Sequence, residues 1–284
     1  MKVIHTIDGL GDELGRVERP LGLVPTMGAY HQGHMELVRR ARSESTTLVV
    51  SIFVNPTQFG PREDYSSYPR DSDADLSELE RAKVDLVFAP SVDEMYPEGF
   101  DTFVDVGRIA DRLEGVARPN HFRGVATVVC KLLAIVHPDR AYFGQKDAQQ
   151  CLVVRRLNAD LDLGADIVVV PTVREADGLA LSSRNRYLGP EERRAATVLY
   201  RSLRLARDMW ERGASDAEEI RRHVRAHIED EPHAQIDYVS VADAANLEEL
   251  DVISGPALVS LAVRIGKARL IDNIVLESPS DAAM

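Results

Sequence analysis

Short apolar runs and amphipathic stretches take turns along the chain as far as about residue 186. A brief apolar run at 21–24 leads through a turn-rich segment into a helical pattern over 33–45. Residues 48–54 form a β-branched run, the pattern of a strand covered on both faces. Over 72–83 Leu76 and Leu79 share one helical face, and 85–88 reads as the next strand. An apolar helix is predicted over 126–136, a short strand over 140–143, a helix over 147–157 and another strand over 166–170. Strands alternating with helices predict an α/β domain built on a parallel sheet.

The pattern changes after Arg186. Gly189-Pro190 punctuates the chain, and 191–212 predicts one long amphipathic helix. A further helix is expected over 216–229, opened by Ser215 as N-cap. Strand-like pieces follow at 236–241, 257–265 and 269–275, which together read as a smaller α+β domain. The expected division is 1–185 and 186–284, with a tail from Glu277 that frays.

Composition narrows the classes. A chain of 284 residues holds one large domain or two ordinary ones, and 44% hydrophobic with 28% charged residues excludes disordered and fibrous chains. The formal net charge of −12 sets aside general binding to nucleic acid or to an anionic membrane, because both would be repelled. Any phosphate must then be met by a local cluster of donors. No apolar run approaches the roughly 20 residues of a membrane span, and the N-terminus shows no targeting signal. Cys130 and Cys151 lie in apolar runs without metal-ligand spacing, as in a soluble cytoplasmic protein with reduced thiols.

Four segments have the residues for chemistry. Pro25-Thr26-Met27-Gly28-Ala29-Tyr30-His31-Gln32-Gly33-His34 lies between a predicted strand and a predicted helix. Gly28 and Gly33 permit close approach of backbone to ligand, and the helix N-terminus favours an anion. His31 and His34 fall on one face if the turn is helical, where two imidazoles could stabilise charge on a leaving pyrophosphate. The plain alternative is a connection bearing two surface histidines; a zinc site lacks a third ligand. Asn55-Pro56-Thr57-Gln58-Phe59-Gly60 follows the strongest strand and is either an amide-lined substrate site or simply a turn. In Phe143-Gly144-Gln145-Lys146-Asp147, Gly144 gives close approach and Lys146 is a mobile charge suited to phosphate, while Asp147 could cap the helix. Gln150 lies one helical step from Lys146. Ser182-Ser183-Arg184, after Asp177-Gly178, suits a polyphosphate or is a solvated linker. Three of the four follow strands of one sheet, so they are expected to converge, and a basic cluster in so acidic a chain points to a nucleoside triphosphate. The Walker pattern and the dinucleotide pattern Gly-x-Gly-x-x-Gly are both missing, which favours nucleotidyl transfer at an α-phosphate.

At these residues the sequence resembles the pantothenate synthetases, or pantoate–β-alanine ligases, within the wider HxGH nucleotidyltransferases. Further matching stretches are Tyr68-Pro69-Arg70, His121-Phe122-Arg123-Gly124, Gln149-Gln150, Asp177 through Asn185, and Ala268 through Asn273. The resemblance implies a Rossmann-like parallel-sheet domain, a smaller C-terminal lid domain and a homodimer. It implies that (R)-pantoate is adenylated by ATP with Mg²⁺ and that β-alanine then attacks the pantoyl adenylate, giving pantothenate and AMP. It also places Met27, Gly28, Ala29, Tyr30, His31, Gln32, Gly33 and His34 at ATP, with His34 catalytic beside His31. Gly144, Gln145, Lys146 and Asp147 would meet ribose and phosphate, and Lys146 would act on the phosphate oxygens. Val173 would lie near adenine, and Leu181, Ser182, Ser183 and Arg184 would close over the triphosphate. Gln58 and Gln150 would hold pantoate, Gln58 also near β-alanine, and Asn55 would orient substrate. Val125, Val128 and Val129 either wall the pantoate methyls or are ordinary core. Ala74, between Asp73 and Asp75, departs from an acidic residue near the metal in relatives; either neighbour could substitute, or ATP oxygens and water alone could hold the ion, so the protein ligands of Mg²⁺ stay unassigned. Tyr30 replaces a leucine common in relatives. Two other readings stand beside the ligase. One is an HxGH enzyme that activates a different small acid, and the other is a non-catalytic nucleotide-binding regulator.

Overall fold

The structure is a computed structural model that describes residues 1–61, 63 and 65–277. The expected fraying of the tail beyond Glu277 lies outside the described residues. The chain forms two compact units. One comprises Met1–Gln145 with Gln149–Pro171, and the other Lys146–Ala148 with the chain from Thr172 onward.

The first unit alternates strand and helix: β1 (Lys2–Ile4), α1 (Ile7–Leu14), β2 (Leu21–Thr26), α2 (Gln32–Glu44), β3 (Thr47–Ile52), α3 (Ser72–Arg81) and β4 (Leu86–Phe88). Short α4 (Val92–Met95) and α5 (Glu114–Ala117) follow, then α6 (His121–Val136), β5 (Arg140–Gly144), α7 (Ala148–Asp160) and β6 (Asp166–Val170). The strands make one six-stranded parallel sheet in the order β1-β4-β3-β2-β5-β6. Successive strand residues feed opposite faces. Leu23, Val49, Leu86, Phe88 and Phe143 join a core with α6 and α7, while Val24, Leu48, Val50, Val87 and Tyr142 join a second core with α2 and α3. This two-sided burial is why the strands read as continuous apolar runs.

The chain runs outward from β2 on one side of the sheet and returns to β5 on the other, so the strand order reverses between β2 and β5. Their ladder pairs only Gly22 with Arg140 and Leu23 with Ala141, whereas β2 and β3 pair along all of Leu21 to Thr26. Without further rungs the carboxyl halves of β2 and β5 are not held together, which is where ligands enter doubly wound sheets.

The second unit holds α8 (Pro190–Ala195), α9 (Val198–Glu211), α10 (Ala217–Glu229), and an antiparallel sheet of β7 (Ala234–Asp243), β8 (Ala257–Ile265) and β9 (Ala268–Leu276). Leu199, Leu203 and Ala206 of α9 and Ile220, Val224 and Ile228 of α10 are buried with Val259, Leu261 and Val263 of β8.

Several expectations change. The helix predicted over 191–212 is broken at Ala196 and Thr197. There the Thr197 hydroxyl and amide both turn back to the Arg194 carbonyl, at 2.8 and 3.2 Å, a tight local bond that interrupts the regular ladder. Asp216, not Ser215, caps α10, accepting from the Glu219 amide at 2.9 Å. The edge strand β1 and helix α1 are additional: β1 has only three residues, too few to show a period. The units divide at Pro171 and Thr172 rather than near residue 185. Residues 172–185 go with the second unit because Arg174 forms a bidentate pair with Asp272, at 2.5 and 2.9 Å, and stacks over the Tyr200 ring. Removing one partner of so buried a pair costs about 3–5 kcal/mol. Lys146 goes there too, since its carbonyl accepts from Asn273 Nδ2 at 3.0 Å.

Candidate active site

The loop after β2 turns sharply. Gly28 and Ala29 both take left-handed backbone angles, φ +79° and +54°. Their geometry aims the amides of Ala29 and Tyr30 at the two carboxylate oxygens of Asp75 on α3, at 2.8 and 3.0 Å. A side chain on Gly28 would stand 2.6 Å from the same carboxylate, so both left-handed geometry and space call for glycine. Asp75 is 5% exposed and faces inward with Leu79, whereas Asp73 is exposed on the first turn of α3. Thr26 Oγ1 donates to the Ser51 carbonyl at 2.7 Å, so the Tyr30 hydroxyl is the donor in their 2.8 Å bond. Burial foremost, with the Asp75 charge adding to it, pushes the Tyr30 hydroxyl well above its ordinary pKa, against the lowering effect of the Thr26 bond. Tyr30 is thus a partly buried neutral donor.

His31 is the N-cap of α2, its Nδ1 accepting from the Gly33 amide at 3.1 Å. The His31 and His34 rings stack at 4.1 Å with 22° between planes, and Tyr30 meets His34 edge-on at 5.6 Å. Two imidazoles on the positive end of a 13-residue helix make a donor surface for an anion.

After β3 the chain enters a 3₁₀ turn, Pro56–Gln58. Asn55, 1% exposed, uses both ends of its amide. Its oxygen accepts from Tyr96 Oη at 2.8 Å and Thr57 Oγ1 at 2.9 Å, and its nitrogen donates to Gln58 Oε1 at 3.0 Å and to the Gly124 carbonyl at 3.1 Å. The Gln58 side chain therefore has its oxygen held by protein and its Nε2 turned toward Met27 Sδ, 3.2 Å away. Its backbone is held as well, by His121. Arg118 donates to His121 Nε2 at 3.1 Å, which leaves the proton on Nδ1, donated to the Gln58 carbonyl at 2.9 Å. Burial first, then the Arg118 charge, pushes the His121 pKa down to about 4. Glu63 in turn takes a bidentate bond from Arg118, at 2.8 and 2.6 Å. Burial alone would raise the Glu63 pKa, but the Arg118 hydrogen bond and charge outweigh it and hold the carboxyl below its usual range.

At the end of β5, the backbone at Gly144 is open, with no atom within 4 Å of where a side chain would stand. Gln149 is committed to structure: it accepts from the Glu114 amide and donates to the carbonyls of Ile109 and Arg112. Gln150, its neighbour on the first turn of α7, is half-buried. Val125, Val128 and Val129 are on the buried face of α6, in the core.

Gln145–Asp147 forms a 3₁₀ turn, and Lys146 Nζ lies 3.5 Å from Asp147 Oδ1, a long contact. The segment 173–181 doubles back, with the Leu181 amide bonded to the Val173 carbonyl at 3.0 Å and Gly178 at φ +93° against Tyr200. Ser182 Oγ accepts from the Arg184 amide at 3.2 Å as the chain enters the 3₁₀ turn Ser183–Tyr187.

The first unit thus brings Met27 through His34 together with Gln58 and Asn55, and the second brings Lys146 together with the 3₁₀ turn at Asp147 and with Asn273. Tyr96, Arg118 and His121 had no role assigned from sequence, and Asp75 had only that of a possible stand-in, with Asp73, for the acidic residue missing at Ala74. The signal for His121 was present in His121-Phe122-Arg123-Gly124: a side chain on Gly124 would collide with the Thr57 carbonyl, so the glycine lets α6 sit against the Gln58 turn.

A parallel sheet opening at its switch point, with a histidine-bearing helix N-terminus just beyond the bordering strand, defines an α/β protein with a crevice for an anionic ligand. More particularly, the chain belongs to the pantoate–β-alanine ligase family, which it matches over residues 2–275. It is 61% identical to the pantothenate synthetase of Roseiflexus sp. (strain RS-1) over 278 residues, covering 98% of this chain and 100% of that protein. The crystal structure of pantothenate synthetase from Thermus thermophilus matches with a TM-score of 0.92 at 49% identity, over 96% of this chain and 99% of that one. Pantoate–β-alanine ligase from Francisella tularensis, solved in complex with β,γ ATP and β-alanine, matches with a TM-score of 0.78 at 35% identity, over 97% of each chain.

Proposed function

We propose that this protein condenses (R)-pantoate with β-alanine at the expense of ATP, through pantoyl adenylate, releasing pyrophosphate and AMP. The observation that carries the reading is the stacked His31–His34 pair at the N-terminus of α2, in a chain that matches the ligase family nearly end to end. Attack by the pantoate carboxylate on the α-phosphate expels pyrophosphate, and the charge that develops there is met by His34, His31 and Lys146. Adenylation replaces an oxide leaving group with AMP, after which the β-alanine amine attacks the acyl carbon and AMP departs.

Met27 through His34 would bind ATP, with Gly144 through Asp147 on ribose and phosphate, Val173 near adenine, and Leu181 through Arg184 on the triphosphate. Gln58 Nε2 would donate to pantoate, and Gln150 would hold it from α7. Asn55 would serve by fixing the Gln58 amide, since its own polar atoms are spent inside the protein. The second unit would exclude water from the adenylate.

The described residues include no group of three or more His, Cys, Asp or Glu that could hold a metal ion, and both Asp75 oxygens are taken by amides. In this proposal Mg²⁺ accompanies the phosphates of ATP, and its protein ligands stay unassigned. Among the described residues no helix is long and apolar enough to cross a membrane. A homodimer in the cytoplasm completes the proposal, and light scattering of the purified chain tests the dimer.

The deciding experiment is pyrophosphate release from ATP with Mg²⁺ and (R)-pantoate, with and without β-alanine. Pantoate-dependent release that turns over with β-alanine and yields pantothenate and AMP is the expected result. A folded, ATP-binding protein that releases none with pantoate would refute the assignment.

A further inference from the structure

The ATP loop is built around an internal anion. Successive backbone amides in a turn conformation make a concave nest that ordinarily binds an external anion. Here Gly28 and Ala29, at φ +79° and +54°, shape such a nest, and the Asp75 carboxylate fills it with one oxygen per amide, at 2.8 Å to Ala29 and 3.0 Å to Tyr30. Asp75 arrives from α3, 46 residues away from Ala29, and is buried on the same face as Leu79. The left-handed Ala29 costs about 1–3 kcal/mol and persists only where its surroundings hold it. Charge-assisted bonds to a carboxylate are the strong kind that can do so.

We propose that Asp75 is a positioning residue for ATP, a built-in carboxylate that occupies the loop's anion nest and fixes the place of the His31–His34 pair. The proposal rests on the ATP role given to this loop above. Its reach to the histidines is short. The amide that Asp75 holds at Tyr30 immediately precedes His31, the N-cap that starts α2, and His34 stacks on His31 one turn later. The same occupancy removes the Ala29 and Tyr30 amides from the set of phosphate donors. It also makes Asp75 a structural carboxylate, not a substitute for the acidic residue that Ala74 lacks.

Asp75→Asn keeps the shape but presents one N–H where an acceptor is needed. It should lower kcat/KM for ATP about tenfold or more, chiefly through KM for ATP, with KM for pantoate within about twofold of the wild type. Asp75→Ala leaves the nest empty, so added formate should restore part of the ATP kcat/KM saturably, and should raise the thermal midpoint of this variant but not of the wild type. An Asp75→Asn enzyme with wild-type KM for ATP, or an Asp75→Ala protein whose activity and melting ignore formate, would overturn the proposal. The formate-dependent melting shift needs no turnover. A wild-type protein that releases no pyrophosphate therefore refutes the ATP reading and leaves the nest separately tested.

Discussion

His121 donates from Nδ1 to the Gln58 carbonyl oxygen at 2.9 Å while Arg118 donates to its Nε2 at 3.1 Å, so the one nitrogen that could take up a proton faces a guanidinium. The imidazole is held neutral down to about pH 4 beside the residue proposed to hold pantoate.

Stability should consequently depend on pH through this ring. Its pKa falls from 6.5 to about 4 on folding, by burial first and the Arg118 charge second. Below pH 6.5 the unfolded chain binds a proton that the folded chain refuses until about pH 4. Stability therefore drops as pH falls through that window, by roughly 2 kcal/mol at pH 5. Urea unfolding at pH 7 and pH 5 should show this component in the wild type and its loss in His121→Gln. Identical pH slopes for the two proteins would contradict it.

Gly124→Ala should damage the same turn from the other side. The new methyl would collide with the Thr57 carbonyl and stand 2.6 Å from the Gln58 amide, both backbone groups that cannot swing away. Overpacking of this kind costs about 1–3 kcal/mol. A lowered urea midpoint together with a raised KM for pantoate is expected; an unchanged midpoint would show that α6 can retreat at no cost.

His34→Ala should leave the fold intact and reduce pantoate-dependent pyrophosphate release by about a hundredfold or more, the scale of losing a charge-stabilising donor. Release at the wild-type rate would remove His34 from the chemistry.

Gln150→Ala should raise KM for pantoate about tenfold with little change for ATP. Gln149→Ala should act differently, lowering the melting temperature, because Gln149 ties down 109–114 through three hydrogen bonds. Equal losses toward pantoate and ATP in Gln150→Ala would contradict its assignment.

Much of this protein was legible from local pattern. Burial on both faces of the sheet leaves the strands as apolar runs, so β3 and β6 could be read directly, and antiparallel β8 and β9 likewise showed as apolar, β-branched stretches. Chemistry placed directly after a strand is also a local signal, and the loops at Met27, Gln58 and Gly144 all follow parallel strands of one sheet. Helix breaks and caps were less legible, because one hydrogen bond decides them: the Thr197 turn and the Asp216 cap each hang on a local contact.

What the tertiary structure alone decided are contacts between residues far apart in the chain. Asp75 meets Ala29 across 46 positions, His121 meets Gln58 across 63, and Asn273 meets Lys146 across 127. Periodicity reports which face of an element is buried, but not which polar group of another element will be its partner. A hydrogen bond depends on angstrom-scale placement that only packing sets. In sequence Asp75 is one of two acids flanking Ala74, and only the fold sets its carboxylate on the amides of Ala29 and Tyr30.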